Sequence, residues 1–252
     1  MNSQEAHFKY ILRIADNALI LGQRLAEWCG HGPILEQDIA LTNFSLDYIG
    51  QARNLYTYAA AMEGQGKTED DLAFLRNEHA FYNMLLVEQP NGHWGQTIVR
   101  QFLFDVFNYL FHQELCQSKD EQLAAIAAKS LKEITYHLKF SSEWLIRLGD
   151  GTEESHAKMQ EALDDLWMYT GELCLPDAID EQMAALGIGV DLAGIQPLYQ
   201  EKVTQVLKQA TLVSPDIPWM QSGGKQGRHT EHLGHLLAEM QYMQRAFPGM
   251  EW

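Results

Sequence analysis

Residues 94–116 read WGQTIVRQFLFDVFNYLFHQELC, and this stretch decides the fold class. Phe102, Leu103, Phe104, Val106, Phe107, Leu110 and Phe111 leave almost no polar face on a helix of this length, the pattern of a helix packed on most of its sides. Near its middle stands Asp105, with flanking residues that are nearly all apolar. A carboxylate in that position is costly unless it is paired, hydrogen-bonded or neutralised.

Working outward, helical periodicity dominates the chain. Residues 6–28 carry Ile11, Ile14, Ala18, Leu21 and Leu25 at steps of three and four, and Gly30-His31-Gly32-Pro33 ends that helix. A second helix is expected over residues 35–62, closed by Gly64-Gln65-Gly66. A third over residues 69–87 would align Phe74, Glu78, Phe81 and Leu85 on one stripe. Ser118 and Glu121 read as a capping box for a fifth helix that runs to residue 148. A sixth is expected over 152–173, a looser glycine-bearing stretch over 176–195, and further helices over 197–211 and 231–246. No strand-like alternation, repeat or low-complexity segment interrupts the pattern. The expectation is an all-α chain, most simply a helical bundle with helices appended.

Composition narrows the function classes. Thirty-four acidic against 18 basic side chains give a formal net charge of -16, which disfavours nucleic acid and anionic membrane surfaces as partners. No run approaches the ~20 apolar residues of a membrane span. Cys29, Cys116 and Cys174 are widely spaced without a CxxC, suiting reduced thiols, and MNSQEAHFKY has no secretory pattern. A cytoplasmic location is expected.

Four carboxylates carry the chemical question. Asp47, Glu78, Asp105 and Glu133 fall in four different helical stretches. A di-iron bundle site takes one Glu from each of two helices and Glu-x-x-His from each of two others. Here the order is Asp, Glu-x-x-Phe, Asp, Glu-x-x-Tyr: Phe81 and Tyr136 stand where histidines would be. Phenylalanine ligates nothing, and a phenol with a pKa near 10 is a poor default ligand. His137, one turn after Glu133, is a candidate substitute ligand or an ordinary core histidine. Acids on helices mostly face water, so the set can also arise without a site. His229, His232 and His235 share a drifting stripe but match no zincin spacing, and a polar helix start at Thr230-Glu231 explains them more simply. There is no P-loop, no GxGxxG after a strand and no GxSxG.

Longer blocks carry a resemblance: LGQRLAEWCGHGPILEQDIAL, LDYIGQARN, LLVEQPNGHWGQTIVRQFLFD, KEITYHLKFS and GGKQGRHTEHLGHLLAEMQYMQR, spread over nearly the whole length. With them the chain resembles the family of C subunits of the bacterial phenylacetyl-CoA epoxidases, oxygenases of aerobic phenylacetate degradation. The resemblance implies one ferritin-like helical domain over residues 1–252, with a bundle core at about 6–173 and C-terminal helices at about 195–246. It implies no cofactor in this chain, a di-iron centre and acyl-CoA site in a sister catalytic A subunit, and pairing with that sister to keep it folded. A B subunit and an E subunit, the latter a flavin and iron-sulfur reductase using NADPH, complete the implied system. On that pattern Asp47, Glu78, Phe81, Asp105, Glu133 and Tyr136 occupy vestigial ligand positions. Two alternatives stay open at this point. One is a di-iron oxygenase or ferroxidase with Asp47, Glu78, Asp105, Glu133 and His137 as atypical ligands. The other is a chain that lends a wall to its partner's acyl-CoA pocket. Self-pairing of the chain when alone is also left open.

Overall fold

The computed structural model describes residues 2–250. The α-helices are α1 (Ser3–Ala26), α2 (Leu35–Glu63), α3 (Glu69–Phe74), α4 (Leu85–Glu88), α5 (Trp94–Leu115), α6 (Glu121–Gly149), α7 (Glu153–Trp167), α8 (Ala178–Leu186), α9 (Leu192–Gln209), α10 (Glu231–Met240) and α11 (Tyr242–Ala246). Short 3-10 turns occupy Glu78–Ala80 and Gly224–Gln226, and the described residues contain no strand. The fold class is all-α, consistent with a ferritin-like helical bundle. No helix among the described residues is long and apolar enough to cross a membrane.

Two compact units divide the chain, Met1–Pro90 with Gly223–Trp252, and Asn91–Ser222. The first is built on the antiparallel pair α1 and α2. Gln4 reaches the Met62 carbonyl, Tyr56 reaches Asp16, and Ser45 Oγ donates to the Gly22 carbonyl at 2.8 Å. Gly22 allows that approach, because a Cβ there would lie 3.2 Å from Tyr48 Cβ and 3.3 Å from the Ser45 carbonyl. Asn2 caps α1, accepting from Glu5 N, and Gly64 at φ 68° closes α2.

The third expected helix is not one helix. α3 stops at Phe74, and residues 77–84 alternate between a 3-10 turn and extended backbone before α4. The diversion follows from polar side chains that replace intrahelical partners. Asp16 accepts from Tyr82 N at 2.7 Å and Asn17 Oδ1 from Met84 N at 2.7 Å, while Arg76 donates to the Leu72 and Ala80 carbonyls. Propensity read along one segment misses a partner such as Asp16, which lies 66 residues from Tyr82. The C-terminal segment of this unit then threads against the diverted backbone. A Cβ at Gly224 would sit 2.2 Å from the Asn83 carbonyl, and one at Gly227 (φ 74°) 2.4 Å from the His79 carbonyl. The last expected helix of this unit breaks into α10 and α11 at Gln241, whose side-chain amide donates to the Ala73 and Arg76 carbonyls.

In the second unit α5 is buried along most of its length and packs on α6, α7 and α9. His93 and Gln96 form its capping box. The cap of α6 is Asp120, which accepts from Leu123 N at 3.0 Å. Ser118 instead donates to the Ile188 carbonyl at 2.7 Å, so the expected Ser118–Glu121 box is not formed. α7 ends at Trp167, earlier than expected. The stretch expected to be loose holds α8, with a capping box at Asp177–Asp180 and Gly187 at φ 72° as its stop.

Candidate functional site

Asp16 lies in the middle of α1 and is fully buried. Its oxygens take the Tyr56 hydroxyl at 2.5 Å, the Tyr82 amide, and both terminal nitrogens of Arg76, one of them at 3.1 Å and the other in a shorter ion pair. The Arg76 guanidinium in turn lies 4.1 Å from the centroid of the Phe81 ring. Burial works against the Arg76 charge, but the Asp16 carboxylate outweighs it and holds the guanidinium more basic than usual. Burial first, and Asp16 second, raise the Tyr56 phenol far above its ordinary range, so it remains a donor. The result is a charged pair whose polar atoms are met by protein groups, the condition for tolerating charge in a core.

A second buried carboxylate, Glu88 at the end of α4, is fully enclosed as well. One oxygen accepts from Thr230 N at 2.6 Å and Thr230 Oγ1 at 2.8 Å; the other accepts from Asn83 Nδ2 at 2.8 Å and His229 Nδ1 at 2.8 Å. His229 Nε2 faces the Phe81 carbonyl at 2.9 Å. Both ring nitrogens therefore face acceptors, which only the imidazolium satisfies. Burial disfavours that charge, yet the Glu88 hydrogen bond and charge and the Phe81 carbonyl together raise the His229 pKa. Thr230 is the N-cap of α10, so Glu88 fastens the start of that helix. Arg24 adds two bonds to the Glu88 carbonyl and one to that of His232.

In the second unit Asp105 is fully buried, accepting from Gln101 Nε2 at 2.6 Å and from Ser141 Oγ on α6 at 2.8 Å. Two turns further along α5, burial pushes the His112 pKa down to about 4, with its Nδ1 donating to the Asn108 carbonyl at 2.9 Å.

The sequence-predicted ligand positions have unlike fates. Asp47 on α2 and Glu133 on α6 are half-buried, and His137 is buried. Tyr136 is 56% exposed. Glu78 is exposed on the 3-10 turn, 3.4 Å from His79 Nε2, and helps line an open cavity of about 670 Å³ with Leu237, Tyr242 and Arg245. Phe81 is extended backbone and fully buried beneath Arg76, so Glu78 and Phe81 do not share the helical stripe expected for them. Among the described residues no three His, Cys, Asp or Glu side chains are grouped so as to hold a metal ion. A di-iron centre does not fit this donor set, since one histidine position is a phenylalanine used as a platform for a cation and the other is an exposed phenol.

Asp16 and Glu88, the acids whose burial is best explained by specific partners, were not among the predicted positions. Asp16-Asn17 inside the apolar run of α1 was the available signal, as was His229 three residues before His232. Of the histidines at 229, 232 and 235, only His229 is tied to a carboxylate here, and α10 does begin at Thr230-Glu231.

A family model described as phenylacetic acid catabolic protein matches residues 1–252. The chain is 51% identical over 243 residues to the C subunit of the 1,2-phenylacetyl-CoA epoxidase of Escherichia coli (strain K12), an alignment covering 96% of this chain and 98% of that protein.

Proposed function

The chain belongs to the phenylacetic acid catabolic protein family, and from that premise we propose that it is a non-catalytic structural subunit of a multicomponent phenylacetyl-CoA 1,2-epoxidase. In this reading it holds no metal or cofactor itself. It pairs with a homologous di-iron A subunit and stabilises it. A B subunit and a reductase, the E subunit, with NADPH, flavin and iron-sulfur groups, complete the system in the cytoplasm. The observation that carries the reading is Phe81 packed beneath the Arg76–Asp16 pair. Where a di-iron bundle would spend a histidine on iron, this chain has an aromatic ring under a guanidinium. The adjacent core carboxylate is neutralised by a protein cation, so its folded state has no need of a metal there.

The experiment is metal analysis of the chain expressed in iron-rich medium, together with turnover of the reassembled complex carrying Glu78→Ala. No stoichiometric iron is expected, and epoxidation should stay within about twofold of the parent. About two irons per chain, or a collapse of turnover with the complex still assembled, would overturn the proposal in favour of an oxygenase with atypical ligands.

A further inference from the structure

Asn91-Gly92 is the one Asn-Gly pair in the sequence, and it lies just before α5. Gly92 is exposed at φ 55°, and a Cβ there would run into Gln96 Oε1, so glycine alone fits. Its amide N–H meets no acceptor among the described residues. Both carbonyl groups of Asn91, by contrast, are engaged. Oδ1 accepts from Arg100 Nη2 at 2.7 Å, and the main-chain oxygen accepts from Thr97 Oγ1 at 3.0 Å. Arg100 is fully buried on α5, so its bond to Oδ1 is charge-assisted and little screened by solvent.

We propose that Asn91 is a self-modification site, converted to aspartate by its own chain. The Gly92 nitrogen attacks Asn91 Cγ, a new N–Cγ bond closes a cyclic imide, and Nδ2 leaves as ammonia with the Gly92 amide proton. Negative charge builds on Oδ1 as the nitrogen adds, and the Arg100 guanidinium already stands there to receive it, in the manner of an oxyanion hole. Water then opens the ring at one of its two carbonyls, its hydroxyl joining carbon and its proton returning to the Gly92 nitrogen. Attack at Cγ restores the ordinary main chain with an aspartate side chain. Attack at the main-chain carbonyl leaves isoaspartate, with an extra methylene in the backbone. Arg100 polarises the first carbonyl with a charged donor and Thr97 the second with a neutral one. Charge-assisted bonds are about twice as strong, so opening is directed to aspartate. The new carboxylate lies against the Arg100 guanidinium and two residues before His93, the N-cap of α5, where cation and helix dipole both favour negative charge.

The folded chain is incubated at mildly alkaline pH and mapped by peptide mass spectrometry, with isoaspartate counted by a methyltransferase specific for it. Acid is expected at position 91 ahead of every other asparagine, with equimolar release of ammonia and aspartate exceeding isoaspartate. In urea, where the Arg100 bond is gone, the same site should yield mainly isoaspartate. Arg100→Met should slow conversion by about tenfold or more and return the product to isoaspartate. Should that variant not fold, the product ratio of the parent, folded against urea-unfolded, decides. Asn91→Asp, which makes the product directly, should melt above the parent. An Asn91 that stays intact while other asparagines convert, or an excess of isoaspartate from the folded chain, would overturn the proposal. The functional reading is tested separately, by iron content and turnover, and stands or falls independently of these outcomes.

Discussion

Asp16, fully buried, and Arg76, whose side chain is 12% exposed, are each expensive to enclose alone, and each is enclosed because the other is there. Removing one partner of such a pair leaves an uncompensated charge, typically at about 3–5 kcal/mol. Asp16→Asn and Arg76→Met are each expected to destabilise the chain by that order in urea melts. The double variant should cost less than the sum, because neither charge is then left unmatched; strict additivity would mean that the two side chains do not act as a pair. A second test at this scale is pH. The His229 pKa is raised in the folded state, so its contribution is fully present below the unfolded value of about 6.5 and is lost as pH rises through the folded value. His112 has the opposite sign. With its folded value lowered to about 4, its contribution is present above about 6.5 and is lost as pH falls towards 4. Melts between pH 4 and 9 should thus fall off at both ends. His229→Gln should flatten the alkaline limb alone, and an unchanged alkaline limb would show that the imidazolium is not what holds Glu88.

At the scale of elements, what the sequence made legible is what is local. α2, α5 and α6 begin and end within about two residues of their expected positions, because apolar periodicity and turn residues are written next to one another, although the cap of α6 is Asp120 and not the expected Ser118. Asp105 was legible as a buried acid for the same reason, since its apolar neighbours are adjacent in sequence. The break between α3 and α4 was not legible, because Asp16 and Asn17 on α1 create it. Reading Glu78 and Phe81 as one stripe failed with it, and so the fully buried acids at 16 and 88 went unforeseen. The break makes its own prediction. Asn17→Ala would leave the Met84 amide, now bonded at 2.7 Å, without its partner, at a cost of about 1–3 kcal/mol. Gly224→Ala would drive a methyl into the Asn83 carbonyl. Both substitutions should speed amide exchange over residues 79–88 and 223–241 well before α5 or α6 responds; exchange that rises evenly across the chain would remove the local account.

On the scale of the whole molecule, charge outside the core decides how the chain behaves in solution. A net charge of -16 on 252 residues opposes compaction by self-repulsion. Against this stand exposed helix pairs such as Lys9–Glu5, Lys139–Glu143 and Lys158–Glu154, which solvent and salt screen and which contribute little. The Asp16–Arg76 and Glu88–His229 pairs are buried and little screened. Added salt therefore weakens a few small attractions while relieving a larger, longer-ranged repulsion, whose screening length falls from about 30 Å at 0.01 M to about 3 Å at 1 M. Repulsion should win, so Tm is expected to rise by several degrees between low salt and about 0.5 M sodium chloride. If Tm falls instead, the exposed ion pairs carry more of the stability than their geometry suggests.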